Sequence, residues 1–159
     1  NIAPGISREF AGENFSFLPS HIWQNARDEA KAAVKDTEIH VQGSDVSSEM
    51  ISIAKENAKR AGVPEIDFFV RDIADIAPAA DKTTVVCNPP YGERLLDVKS
   101  AEALYRTMGK AFEKSGLQKY YIFTSSPYFE KHFGKKADNT RKMYNGMLRC
   151  FYYQYYKKK

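Results

Sequence analysis

Thr83-Thr84-Val85-Val86-Cys87-Asn88-Pro89-Pro90-Tyr91-Gly92 is the stretch whose reading decides the fold. Residues 83 to 87 form a short, apolar, β-branched run, the signature of a buried parallel strand. Two prolines then remove two backbone donors and fix two φ angles. Asn88 and the carbonyl of Pro89 are left pointing out of a rigid turn. Together they can accept both hydrogens of an amino group on a planar base. Tyr91 offers a flat face for stacking, worth about 1–3 kcal/mol per base. An aromatic amine is a poor nucleophile because its lone pair delocalises into the ring. Two acceptors favour a more tetrahedral, more nucleophilic nitrogen, and positioning against a sulfonium methyl supplies much of the remaining catalysis. The alternative is a plain rigid turn, since Asn and Pro are common turn residues. Its place at the end of a buried strand favours the chemical reading.

Working outward, residues 1 to 20 show no clear period and read as loop. Ile22, Ala26, Ala30, Ala33 and Val34 recur at helical spacing, so residues 22 to 35 are expected to be helical. Residues 39 to 43 read as a strand with Ser44-Asp45 at its end. Ser47 or Ser48 can cap the next helix, with Glu49 at its positive end. One face of that helix carries Met50, Ile51, Ile53, Ala54, Asn57, Ala58 and Ala61, before Gly62 and Pro64 stop it. Residues 66 to 70 read as a strand closing on Arg71-Asp72. Beyond the proline turn, Ser100 can cap a helix to about Lys114, with Ala103, Leu104, Met108, Ala111 and Phe112 inward and Gly116 as the stop. A strand follows at 120 to 124 and a short helix near 127 to 133. Asn145-Gly146 then separates two strand-like runs, the second from Met147 to about Tyr156, which is a strong hairpin signal.

Repeated strand–helix units imply an α/β fold: a mostly parallel sheet with helices on both faces, made mixed by an antiparallel C-terminal hairpin. One domain is expected over residues 1 to 159. Ligands of such sheets bind outside the C-terminal strand ends. Asp45, Asp72 and the Asn88–Tyr91 turn all fall there. A carboxylate at Asp45 can accept from a ribose diol, and one at Asp72 from an adenine amino group. Helix capping accounts for Asp45 equally simply, and an ordinary loop aspartate accounts for Asp72.

Composition limits the alternatives. The 159 residues are 43% hydrophobic, too apolar for a disordered chain and long enough for a core without staples. No apolar run approaches the roughly 20 residues that span a bilayer, and no signal segment opens the chain. Cys87 and Cys150 form no disulfide or ligand pattern, which suits a reducing cytoplasm. His21, His40 and His132 are scattered and suggest no metal. The net charge of +4 permits a phosphate-bearing partner without demanding one. Lys131, Lys135, Lys136, Arg141, Lys142, Arg149 and Lys157 to Lys159 cluster late among tyrosines and phenylalanines. That interleaving suits phosphates and stacked bases, and equally a solvated face over an aromatic sheet.

Asn88-Pro89-Pro90-Tyr91-Gly92-Glu93-Arg94-Leu95 resembles the catalytic motif of bacterial ribosomal RNA guanine-N2 methyltransferases, a family often labelled N6-adenine-specific DNA methylases. The likeness runs over nearly the whole chain. It includes Asn1-Ile2-Ala3-Pro4-Gly5, Gly43-Ser44-Asp45, Ile53-Ala54-Lys55-Glu56-Asn57-Ala58, Lys136-Ala137-Asp138 and Arg141-Lys142-Met143-Tyr144-Asn145-Gly146. The resemblance implies a Rossmann-like class I methyltransferase fold whose last strand is antiparallel, with S-adenosyl-L-methionine as cofactor and guanine N2 of 23S ribosomal RNA as target. Asp45 and Val46 would hold the cofactor ribose, Asp72 and Ile73 its adenine, and Asn88 would border it. Asn88, Pro89, Pro90 and Tyr91 would take the base, and Arg94, Arg141, Lys142 and Tyr144 the nucleic acid. Family members carry an RNA-binding THUMP domain before the catalytic domain. Their first strand and Gly-rich cofactor loop have no counterpart here, so the chain reads as N-terminally truncated and is expected to bind cofactor weakly by itself. An adenine-N6 DNA methylase and a non-catalytic nucleic-acid-binding module are the competing readings.

Overall fold

The computed structural model describes residues 2–35, 40–78, 80, 82–91 and 97–156. The chain divides into two compact units: residues 1–43 with 49–69, and residues 44–48 with 70–159. In the first, helix α1 spans His21–Ala32 and helix α2 spans Ser48–Arg60, whose first residue belongs to the second unit. Gly62 follows α2 with φ 75°, the left-handed conformation that makes glycine a helix stop.

Strands β1 (Gln42–Asp45) and β2 (Asp67–Val70) form a two-stranded sheet. The amide of Asp67 donates to the carbonyl of Val41, and that of Arg71 to the carbonyl of Asp45. Both bonds advance four residues along each strand, which is a parallel ladder. Asp45 is the last residue of β1 itself rather than a residue beyond it; the expected start of this strand, at residue 39, lies outside the described residues.

The second unit is built on a four-stranded sheet ordered β3-β4-β6-β5. The strands are β3 (Thr84–Cys87), β4 (Lys119–Thr124), β5 (Asn139–Asn145) and β6 (Leu148–Tyr155). β3 runs parallel to β4, while β6 is antiparallel to both β4 and β5. β6 alone therefore runs against its sheet, the mixed arrangement the hairpin foretells. Gly146, at φ 62°, supplies the left-handed turn residue the tight connection needs.

Helix α3 (Val98–Lys114) makes the crossover that a parallel pair requires, and helix α4 (Phe129–Phe133) follows β4. Ala101, Tyr105, Met108, Ala111 and Phe112 of α3 are buried with Tyr120 and Ile122 of β4, Phe129 and Phe133 of α4, and Tyr153 and Tyr155 of β6. The inward face is thus rotated from the sequence expectation, since Ala103 is exposed and Leu104 only half-buried. Asp97 caps α3 by accepting from the Ser100 amide, and the Ser100 hydroxyl donates to the same carboxylate at 2.6 Å. Ser100 therefore lies inside the helix instead of capping it.

Gly109 lets α3 and α4 meet. A Cβ there would fall 2.0 Å from the carbonyl oxygen of Phe133.

Candidate active site

The strand before the turn is not buried as the sequence suggested: β3 lies at the edge of its four-stranded sheet, none of its four residues is buried, and Val86 is 67% exposed. Asn88 is exposed, Pro89 is buried, and Pro90 and Tyr91 are half-buried. Proline rings have no amide to satisfy, so the buried part of the turn leaves fewer unpaired donors. Two side chains that sequence reading passed over hold it. The Tyr105 hydroxyl donates to the carbonyl of Pro90 at 3.3 Å and lies 3.1 Å from Thr124 Oγ1. The Ser126 amide donates to the same Thr124 oxygen. Amide, threonine hydroxyl, tyrosine hydroxyl and proline carbonyl thus form one chain of bonds from the end of β4 to the end of β3. Burial raises the Tyr105 pKa and keeps its hydroxyl protonated. The second side chain is Asn145, whose Nδ2 donates to the Tyr91 hydroxyl at 3.3 Å. Read from sequence only as a turn residue, it brings the hairpin tip against the proposed base-stacking ring.

Cys87, the residue before Asn88, has its thiol pushed up to about 12 by burial. It is a neutral packing group at physiological pH and no nucleophile.

At the end of β1, Asp45 Oδ1 accepts from the Ser47 amide at 2.8 Å, and Val46 is 65% exposed beside it. Asp72 Oδ1 accepts from the Ala74 amide at 2.8 Å and caps the 3-10 turn Ile73–Asp75. Asp45 thus closes a short turn before α2 instead of capping a helix, whereas Asp72, read as an ordinary loop aspartate, is itself a cap. The Arg71 amide bonded to the Asp45 carbonyl brings the two strand ends side by side. Ile73 is half-buried against the core that also includes α3. These residues fit the nucleoside part of S-adenosyl-L-methionine: carboxylate oxygens for ribose hydroxyls and the adenine amine, and an exposed valine for apolar ring surface.

The expected nucleic-acid residues are not one patch. Arg141, Lys142 and Tyr144 are all exposed on β5. Their partners on β6 are Tyr152, Phe151 and Arg149. Alternate strand residues face opposite sides, so Lys142 and Tyr144 share a face and Arg141 lies on the other. Arg94 and Lys157 to Lys159 lie outside the described residues. Part of the basic–aromatic interleaving serves the fold: Lys135 Nζ sits 5.4 Å from the Tyr120 ring centroid, and the Arg149 guanidinium 5.1 Å from that of Phe151. Among the described residues, no group of three His, Cys, Asp or Glu could hold a metal ion, and no helix is long and apolar enough to cross a membrane.

A mixed sheet with one reversed strand, acidic groups at two strand ends and an Asn-Pro-Pro-Tyr turn at a third define a class I methyltransferase domain. The chain belongs to the UPF0020 family, the RMKL-like methyltransferase domain, whose family model matches residues 1–154. It is 38% identical over 160 residues to Bacillus subtilis YpsC, named there as a candidate RNA methyltransferase, covering 99% of this chain and 42% of that protein. It is 40% identical over 157 residues to the ribosomal RNA large subunit methyltransferase K/L of Shewanella baltica, covering 94% of this chain and 22% of that one. Among solved structures it matches SMU.472, a candidate methyltransferase complexed with SAH, with TM-score 0.89, 35% identity and coverage of 100% of this chain and 43% of that one. The chain therefore spans less than half the length of these relatives.

Proposed function

We propose that this chain supplies the catalytic part of an S-adenosyl-L-methionine-dependent methyltransferase that modifies guanine N2 in 23S ribosomal RNA. The observation that carries the reading is an exposed asparagine on a buried proline turn, tied by Tyr105 through Pro90 and by Asn145 through Tyr91. Such bracing fixes acceptors before the substrate arrives, which is the condition for catalysis by positioning.

In this reading Asn88 Oδ1 and the Pro89 carbonyl accept the two hydrogens of the amine. The nitrogen lone pair is then turned out of conjugation with the base, and Tyr91 holds the ring by stacking. Asp45, with Val46, takes the ribose of the methyl donor, and Asp72, with Ile73, its adenine. S-adenosyl-L-methionine, when bound, supplies an electrophilic methyl group on sulfonium sulfur. Asn88 and the Pro89 carbonyl would hold the amine nitrogen for displacement of that methyl from sulfur, with the amine proton passing to water. The SAH complex of a relative 35% identical supports the choice of cofactor, and the name of the Shewanella relative supports ribosomal RNA. A THUMP-type RNA-binding region elsewhere in the whole protein would supply further RNA affinity, and the cytoplasm is the compartment where such a substrate is met.

The test is transfer of labelled methyl from S-adenosyl-L-methionine to 23S ribosomal RNA and to duplex DNA by the whole protein carrying this chain. Methylation of the RNA at guanine N2, lowered about 10²–10³-fold by Asn88→Ala, is the expected result. Transfer to DNA adenine instead would move the assignment to an adenine-N6 methylase. RNA binding with no transfer to either substrate would leave a binding module.

A further inference from the structure

Beside Tyr91 of the proline turn lies a cavity of about 200 Å³. Its walls come from Tyr91 after β3, from residues 125–128 after β4 and from the first turns of α3. That volume is below the roughly 300–1,000 Å³ of sites for drug-sized ligands and suits a single planar heterocycle. Tyr91 and Tyr128 both line it, and Tyr128 is 67% exposed although it precedes a fully buried Phe129. An exposed aromatic beside a half-buried one offers stacking surface that the fold itself does not use. Ser125 and Ser126 add two hydroxyls.

The polar end of the cavity is Glu102. Its carboxylate is held on both oxygens: His132 Nε2 lies 3.4 Å from Oε1, and an Arg106 nitrogen 3.5 Å from Oε2. Arg106 also lies 3.2 Å from His132 Nδ1. Arginine can only donate, so Nδ1 accepts from Arg106, which leaves His132 Nε2 on the Glu102 side. Each carboxylate oxygen keeps a further lone pair. A carboxylate fixed in this way accepts two parallel N–H bonds from one flat edge. Guanine presents such an edge in N1–H and the 2-amino group, whereas adenine, cytosine and uracil offer one Watson–Crick donor group each.

We propose that this cavity seats a guanine neighbouring the target nucleotide, stacked at Tyr91 and Tyr128 and read by Glu102. Asn88 does not line it, so its occupant is not the base whose amine meets the catalytic turn. Tyr91 is a wall shared by the two positions. The inference rests on the methyltransferase reading for the identity of the strand, although the seat itself is defined without the methyl donor.

The test therefore avoids methyl transfer. GMP, IMP and AMP are titrated into the whole protein carrying this chain while amide resonances are followed. IMP keeps N1–H but lacks the 2-amino group. GMP is expected to shift Glu102, Ser126 and Tyr128 and to bind about tenfold more tightly than IMP, the discrimination of one good bidentate contact. Glu102→Gln should bring the two nucleotides within about twofold. Tyr128→Ala should weaken GMP and IMP alike, and unchanged spectra elsewhere in each variant show that the fold persists. No shifts at Glu102, Ser126 and Tyr128, or a preference for GMP that survives Glu102→Gln, would overturn the proposal. A protein that seats GMP at Glu102 yet methylates no RNA supports the seat and sinks the enzyme reading alone.

Discussion

At the scale of single residues, the proposed chemistry depends on side chains that brace the turn. Tyr105 is 1% exposed and bridges Thr124 to the Pro90 carbonyl. Tyr105→Phe removes the donor and leaves that carbonyl unpaired in a half-buried setting. We expect a stability loss of about 1–3 kcal/mol in denaturant unfolding. We also expect kcat to fall with KM for RNA nearly unchanged, because the loosened turn misplaces the acceptors without losing the stacking ring. Equal losses in kcat and KM would argue against a positioning role. Tyr91 separates the two roles from the other direction. Tyr91→Phe keeps the ring and loses only the bond from Asn145, whereas Tyr91→Ala should cost about 1–3 kcal/mol of RNA affinity, read as Kd by fluorescence anisotropy.

At the scale of elements, the junction of α3 and α4 is the most sensitive point. Gly109→Ala would set a methyl carbon on the backbone of Phe133, and backbone cannot swing aside as a flexible side chain can. Overpacking of this kind costs about 1–3 kcal/mol, and Tm in a thermal melt should fall accordingly. The contrast is Gly116→Ala, where nothing lies within 4 Å and only the φ of 73° is strained. Its penalty should be the smaller, near the roughly 1 kcal/mol that separates Ala from Gly in that conformation. The hairpin adds a functional consequence. Its tip carries Asn145 against Tyr91, so lengthening the turn at Gly146 should lower RNA methylation even where β5 and β6 still pair.

At the scale of the whole molecule, buried acids set the alkaline limit. Burial raises Cys87 from 9.0 to about 12 and Tyr153 from 10.0 to about 12. Below their unfolded values both groups are neutral in both states and stability is unaffected. Above those values the unfolded chain ionises while the folded chain resists, so the unfolded state binds fewer protons and stability falls with pH. The decline should run from about pH 9 to 12 and appear as a lower urea midpoint across a pH series. The same burial predicts that Ellman's reagent at pH 8 labels Cys87 and Cys150, the latter 0% exposed, only after denaturant is added.

Much of this was legible from local chemistry. The β-branched run before Asn88, the glycine stops and the Asn145-Gly146 turn act within a few residues, so the sequence alone determined most of the elements and the mixed character of the sheet. Helical period was less decisive in the first half of α3, where Ala101 and Tyr105 are inward in place of Ala103 and Leu104. A tyrosine hydroxyl gives no sequence sign of the carbonyl it will reach. Arg141 and Lys142 read as one basic cluster, yet adjacent strand residues face opposite ways and the pleat divides them. Only the tertiary structure decided that Asn145 meets Tyr91 across 54 residues, that His132 of α4 reaches Glu102 of α3, and that a cavity opens beside the proline turn. Those contacts join groups distant in the chain, and their energies exist only once the fold has brought them together.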